Sequence, residues 1–386
     1  MSVRPRAAVY DLYWSTLGGG EQVAATIAEA LAADHDVVLL GPQRVDAERL
    51  RERLGADVSA CGFEVVEGDA DASHVSDSVD LFVNCTYRSE AINRAGRGWY
   101  YVSFPGPPPA ARDLARHHIS VAAVRALSLP PRLPARLGAV RAGFDRRVRR
   151  TEFVATYERF IANSHYTAGW VERIWGPTAE VLYPPVRPEV EPGDKQPLIL
   201  SVGRFFDPRF GHSKKQLELI DAFTADPPPG WCLQLAGGCD AANRDYALAA
   251  RRAAVGQPVE VHVNATGETV RRLFAAASLY WHAGGFREDP QRHPDRFEHF
   301  GITVVEAMAA GAVPLVFGAG GPAELVQHGV NGFHWTSAEE LRSLTRHLVA
   351  DPARRQQMAD AAIDRAADFS AGRFTEAVRR LAADVI

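Results

Sequence analysis

The chain has 386 residues, 46% apolar and 23% charged, with 32 glycines and 25 prolines, a balance that excludes disorder, collagen-like repeats and a small stapled scaffold and leaves room for two domains. With 43 basic against 47 acidic residues the formal charge is -4, too close to neutral for a nucleic-acid binder on bulk electrostatics. The four cysteines, Cys61, Cys85, Cys232 and Cys239, form no C-x-x-C pair and read as reduced residues of a cytoplasmic protein rather than a disulfide framework or a zinc site.

The N-terminus (MSVRPRAAVYDLYW) passes from two arginines into an apolar run too short for a signal peptide, and no segment approaches the ~18 apolar residues of a spanning helix. From there on, short β-branched or apolar runs alternate with helical patterns, the signature of parallel sheets covered by helices. Strands are predicted at 7–11, 36–40, 63–66, 80–84, 99–102, 160–163 and 180–183, with a helix over 21–33 among them. A segment with five prolines, Pro184 to Pro197 (PPVRPEVEPGDKQP), shows no helical periodicity and is the best linker. A second series follows, with strands at 198–202, 232–236, 259–263, 279–282, 313–316 and 332–335 and helices near 215–223, 271–277, 304–310, 338–350 and 352–367. The reading is α/β: two Rossmann-like domains at 1–185 and 198–368, joined by a Pro-rich linker at 186–197. Open parallel sheets bind ligands at the carboxyl ends of their strands, so function is sought in the strand-to-helix loops.

The segment 297–311, FEHFGITVVEAMAAG, places Glu298 in a loop and Glu306 in the first turns of a helix. The free amides of Phe300, Gly301, Ile302 and Thr303 at such a helix start suit a phosphate, and the two carboxylates suit sugar hydroxyls. The alternative needs no ligand: Thr303 caps the helix and Glu306 is its N3 glutamate, a capping box. Of only three lysines in an arginine-rich chain, Lys214 and Lys215 stand side by side, ten and eleven residues after Arg204 and at the mouth of a predicted helix. Gly18, Gly19 and Gly20 follow the first strand. They miss a dinucleotide fingerprint because Val23 stands where a third glycine belongs, which counts against a nicotinamide oxidoreductase.

The pattern E-x7-E with F-G-I-T-x-x-E-A-M-A-x-G, followed by Ala319-Gly320-Gly321-Pro322-x-Glu324 and Gly329-Val330-Asn331-Gly332, resembles the family-4 type of retaining GT-B glycosyltransferases (glycosyl transferases group 1) through most of the C-terminal half. Tyr280-Trp281-His282-Ala283 and the polar insertion up to Glu298 resemble a longer loop of one branch of that family. The resemblance implies a GT-B fold with the sheets facing an interdomain cleft, a C-terminal helix at 369–386 crossing back to the N-terminal domain, and metal-independent transfer of a hexose-type sugar from a nucleoside diphosphate donor to an acceptor hydroxyl. It implies that Glu306 holds the ribose, Glu298 the sugar hydroxyls, and Arg204 with Lys214 or Lys215 the diphosphate, helped by the amides of 300–303. Neutralising charge on a departing phosphate is the physical task of such cations. By the same resemblance Gly18 and Gly19 approach the diphosphate or the acceptor, a plain helix-opening turn being the alternative, and the base lies near Asn264 or Ala265. No cofactor is implied beyond the nucleotide sugar as co-substrate, and the acceptor is a small molecule, a glycan or a lipid-linked molecule.

Weaker signals remain. Ser103 stands where many relatives carry a histidine on the acceptor side, and His117 or His118 are its only nearby substitutes. Asp69-Ala70-Asp71 is a D-x-D in an Ala/Gly/Asp/Ser-rich loop, far in sequence from the diphosphate segments, and no cluster offers a better metal site. Ten arginines against two aspartates over 112–150 suit a peripheral contact with an anionic membrane surface or a lid over the acceptor, and Pro130, Pro131 and Pro134, which interrupt any long amphipathic helix, favour the lid. Rival readings are an epimerase or phosphorylase of the same fold and a two-lobed ligand-binding protein without catalysis.

Overall fold

The computed structural model describes residues 4–106, 149–187 and 190–383, so the arginine-rich segment with His117 and His118 lies outside the described residues except at its end. Contacts divide the chain into two compact units, one built from 1–163, 167–182 and 375–386, the other from 164–166 and 183–374.

The first unit holds a seven-stranded sheet of β1 (Arg6–Tyr10), β2 (Asp36–Gly41), β3 (Gly62–Val65), β4 (Leu81–Asn84), β5 (Arg97–Val102), β6 (Arg159–Ala162) and β7 (Glu180–Val181). Every pairing is parallel, in the order β3-β2-β1-β4-β5-β6-β7. The central strands are buried at almost every residue, as expected of a parallel sheet covered on both faces, and this is why they read as continuous apolar runs. One face carries an aromatic cluster in which Tyr100 packs 5.2 Å from Tyr157 and 5.4 Å from Trp175, ring to ring.

The second unit holds β8 (Gln196–Val202), β9 (Cys232–Gly237), β10 (Val259–Val263), β11 (Ala277–His282), β12 (Val313–Phe317) and β13 (Phe333–Trp335), all parallel in the order β10-β9-β8-β11-β12-β13. The strand period of two sends Ile199, Leu279, Trp281 and Leu315 into one core and Leu200, Tyr280, Val316 and the helix residues Val304, Val305 and Met308 into the other. Chain direction along the sheet reverses between β8 and β11, the switch point at which open α/β sheets take ligands.

Each predicted strand has a counterpart within two residues at either end. The helices Ala47–Leu54, Asp69–Val75, His165–Trp175, Arg244–Ala254 and Pro322–Leu325 have no bounds in the sequence reading. Arg244–Ala254 buries only Tyr246, Ala247 and Ala250. The D-x-D segment is not a loop: Asp69 and Asp71 open Asp69–Val75, and the Asp69 carboxylate accepts from Tyr10 Oη, Ser89 Oγ and the Glu90 amide.

The Pro-rich segment runs fastened along the second unit. Between its prolines, the Val186 amide donates to Phe369 O at 2.8 Å, the Gly193 amide to Ala275 O at 3.3 Å, and Lys195 Nζ to Ala275 O at 2.9 Å. Beyond Ser370 the last helix is Ala371–Ala383. Among the described residues no helix is long and apolar enough to cross a membrane.

Candidate active site

The carboxyl ends of β8 and β11 bring together residues 84 apart in the chain, Lys214 and Glu298. Gly203, just past β8, makes this reach feasible. A Cβ there would lie 2.5 Å from Lys214 Cγ, so only glycine leaves the lysine stem room to cross the strand end. Gln216 Nε2 donates to both Gly203 O and Arg204 O at 3.1 Å and ties the loop after β8 to the helix Gln216–Thr224. Arg204 itself is exposed and makes no ion pair among the described residues.

Glu298 is largely buried and all its partners converge on one oxygen. Lys214 Nζ bonds Oε2, His282 Nε2 lies 3.2 Å from it and His212 Nε2 3.9 Å. Burial alone would raise its carboxyl, but Lys214, the His282 hydrogen bond and His212 outweigh that and hold it well below the ordinary glutamate range. Oε1 makes no hydrogen bond among the described residues, so one lone-pair edge is left for a ligand.

The backbone around Glu298 is fixed from behind by the loop after β12. The Gly321 amide donates to Glu298 O at 2.8 Å. A Cβ on Gly320 would lie 2.4 Å from Glu298 O, and one on Gly321 2.3 Å from His299 O, which explains the paired glycines. The buried rings of Phe297 and Phe300 anchor the segment on either side.

The helix after Glu298 is Ile302–Ala309, capped by Gly301 at φ 105 with no side-chain bond. The capping-box alternative therefore fails. Thr303 lies inside the helix, its hydroxyl accepts from Tyr280 Oη at 2.8 Å, and Glu306 stands beyond the N3 position. No hydrogen bond is made among the described residues by the amides of Phe300, Gly301, Ile302 and Thr303, the unsatisfied donors of a helix start. Tyr280 is fully buried, with its phenol pushed far up by burial and, to a smaller degree, by the charges of both Glu306 and Glu298. It thus reports that the two glutamates share one neighbourhood.

The two lysines part company. Lys215 takes a left-handed backbone (φ 59), and its Nζ is buried 2.5 Å from Glu288 Oε1, whose Oε2 lies 3.3 Å from Arg296. Lys214 alone faces Glu298. Asn264, also left-handed, accepts from the Cys239 amide at 2.7 Å and donates to its carbonyl at 3.3 Å, so its side chain bridges the loops after β9 and β10.

Gly18, Gly19 and Ser103 belong to the first unit. Gly18 precedes the helix Gly19–Leu31, and Glu21 reaches back to accept from the Gly18 amide and from Thr16 Oγ1 at 2.6 Å. Nearby Asp11, at the end of β1, is buried and accepts from the Tyr13 amide at 2.8 Å; burial first, then the charge of Glu21, pushes its carboxyl up to about 8. Ser103 offers its carbonyl to Asn163 Nδ2 at 3.0 Å and Thr167 Oγ1 at 3.3 Å. The roles of His282, Tyr280, Glu288 and Arg296 escape sequence reasoning. His282 and Tyr280 carried the one available signal, sitting in the YWHA run before the insertion.

Two Rossmann-like parallel sheets of this kind define the GT-B fold. The solved structure of Anabaena Alr3699/HepE in complex with UDP matches 98% of this chain and 100% of that one, with a TM-score of 0.71 at 17% identity. Sucrose-phosphate synthase from Thermosynechococcus elongatus matches 99% of each chain, with a TM-score of 0.63 at 17% identity. Residues 185–365 match the family described as glycosyl transferases group 1. Among curated relatives, GDP-Man:Man(3)GlcNAc(2)-PP-Dol alpha-1,2-mannosyltransferase from Dictyostelium discoideum is 26% identical over 248 residues, 58% of this chain and 47% of that protein. The Homo sapiens protein of the same name is 26% identical over 243 residues, covering 56% and 45%. The chain thus spans about half the length of these curated relatives.

Proposed function

We propose that the protein is a retaining, metal-independent glycosyltransferase moving a hexose-type sugar from a nucleoside diphosphate to an acceptor hydroxyl. The observation that carries this reading is the pairing of Lys214 with Glu298 at the switch point of the second sheet, beside the amides of 300–303, which make no hydrogen bond among the described residues. Glu306 accepts from the ribose hydroxyls. Arg204, Lys214 and the helix amides take the diphosphate, and Oε1 of Glu298 accepts from a hydroxyl of the sugar. The two side-chain cations supply the positive charge that a departing diphosphate requires.

In the transfer the bond from the anomeric carbon to the diphosphate oxygen breaks, and the acceptor oxygen bonds the same carbon from the same face. The acceptor proton passes to the departing phosphate oxygen, so no protein carboxylate acts as nucleophile, unlike the two-carboxylate arrangement of retaining glycosidases. The UDP in the Alr3699/HepE structure supports a nucleoside diphosphate donor. The curated relatives carry a PP-Dol glycan in their name, which supports an acceptor of the glycan or lipid-linked kind and work at a membrane surface.

The test is binding and slow hydrolysis of UDP-, GDP-, ADP- and dTDP-sugars in EDTA by the parent, Glu306→Ala and Lys214→Ala. One nucleotide should bind and be turned over by the parent despite EDTA. Glu306→Ala should weaken binding, and Lys214→Ala should lower turnover on the order of 100- to 1,000-fold, the scale of a lost charge-stabilising donor. No binding to any donor, or indifference to both substitutions, sinks the proposal.

A further inference from the structure

Glu298 has a second anchor that the transfer chemistry leaves unused. His282 is the last residue of β11, 3% exposed, and its Nε2 lies 3.2 Å from Glu298 Oε2. Its other ring nitrogen, Nδ1, is buried and has no hydrogen-bond partner among the described residues. A polar atom orphaned in this way costs stability and calls for a reason. Gly284 keeps the space clear: a Cβ there would lie 2.9 Å from His282 Cε1 and 3.3 Å from Glu298 Cβ.

We propose that His282 is a positioning residue, whose Nε2–H pins Oε2 of Glu298 so that Oε1 stays presented to the donor sugar and selects its hydroxyl configuration. This rests on the sugar-transfer reading of the site. Lys214 cannot hold the carboxylate alone, because its ammonium is also the group that must turn to the diphosphate, and its four-carbon stem has more rotatable bonds than an imidazole. A ring at the end of a buried strand does not move with it. The charged and titratable groups around the imidazole are Glu298, Lys214 and His212. Burial holds His282 toward its neutral form, so it adds a donor to Glu298 without a further cation to compete for the phosphate.

The experiment uses the full chain with His282→Leu and His282→Gln, each checked by its thermal melting curve. Free UDP and GDP binding is measured by calorimetry, and turnover is measured with the nucleotide sugar the parent uses and with its sugar epimers. Both variants should bind the free nucleoside diphosphate as the parent does. His282→Leu should lose kcat on the order of 100-fold, the cost of a misplaced orienting group, with KM little changed and with narrowed discrimination between epimers. His282→Gln should recover most of kcat and the discrimination, because its amide N–H reaches Oε2 from the place of the imidazole Nε2. A His282→Leu protein with the parent's kcat and epimer preference overturns the assignment, and so does equal loss in both variants, which marks a packing role. A parent that binds no nucleoside diphosphate overturns the sugar-transfer reading and this assignment together.

Discussion

Single residues in this protein are set by what surrounds them more than by their type. Lys214 and Lys215 are identical neighbours, yet one faces Glu298 and the other is buried against Glu288. Asp11 shows the same dependence in the first unit. With its carboxyl raised from an ordinary 3.8 to about 8, the folded protein keeps a proton that the unfolded chain loses above pH ~4. Its contribution is therefore fully present below that pH and fades as pH rises through 8. Asp11→Asn keeps an oxygen for the Tyr13 amide and removes the titration. Between pH 5 and 8 the parent should lose at least ~1.4 kcal/mol relative to the variant, the value of one pKa unit, read from urea midpoints at the two pH values. Parallel curves would show that Asp11 ionises normally.

At the scale of elements, the insertion after β11 is held by the triad of the buried Lys215–Glu288 pair and the part-exposed Arg296. Lys215 follows Lys214, and Arg296 precedes Glu298 by two residues, so the triad fixes the backbone on both sides of the site pair. Removing Lys215 leaves Glu288 with only the part-exposed Arg296, a smaller loss than the ~3–5 kcal/mol of a buried pair broken outright, and removing Glu288 as well takes away the buried negative charge. Lys215→Met should lower the melting temperature more than Lys214→Ala, and adding Glu288→Leu to Lys215→Met should restore part of it. If Lys215→Met melts with the parent, the triad does not hold the loop. Gly321→Ala belongs to the same scale. Its methyl would meet His299 O at 2.3 Å, and the resulting shift of Glu298 should reduce turnover while leaving nucleotide binding intact. The strands were legible in the sequence because a covered parallel sheet needs continuous apolar runs. The helix Arg244–Ala254 was given no bounds although its polar and apolar faces are well separated, and its short buried stripe is Tyr246, Ala247 and Ala250.

For the whole molecule, a ligand that binds only the folded second unit stabilises it by mass action. A saturating nucleoside diphosphate should slow amide hydrogen exchange in residues 203–214 and 298–303 and leave β1 and β4 unchanged; protection confined to the first unit would relocate the donor site. The sequence by itself determined the two βα series, the strand positions, the E-x7-E segment and the lysine pair, because strand and helix periodicities and glycine-rich loops are local properties. Only the tertiary structure decided that Thr303 does not cap the helix, that Lys214 rather than Lys215 meets Glu298, and that His282 and Tyr280 stand in the site. Those outcomes depend on side chains meeting across 84 residues of chain at the ends of β8 and β11, and on which of them burial leaves a partner to find. No local pattern encodes either.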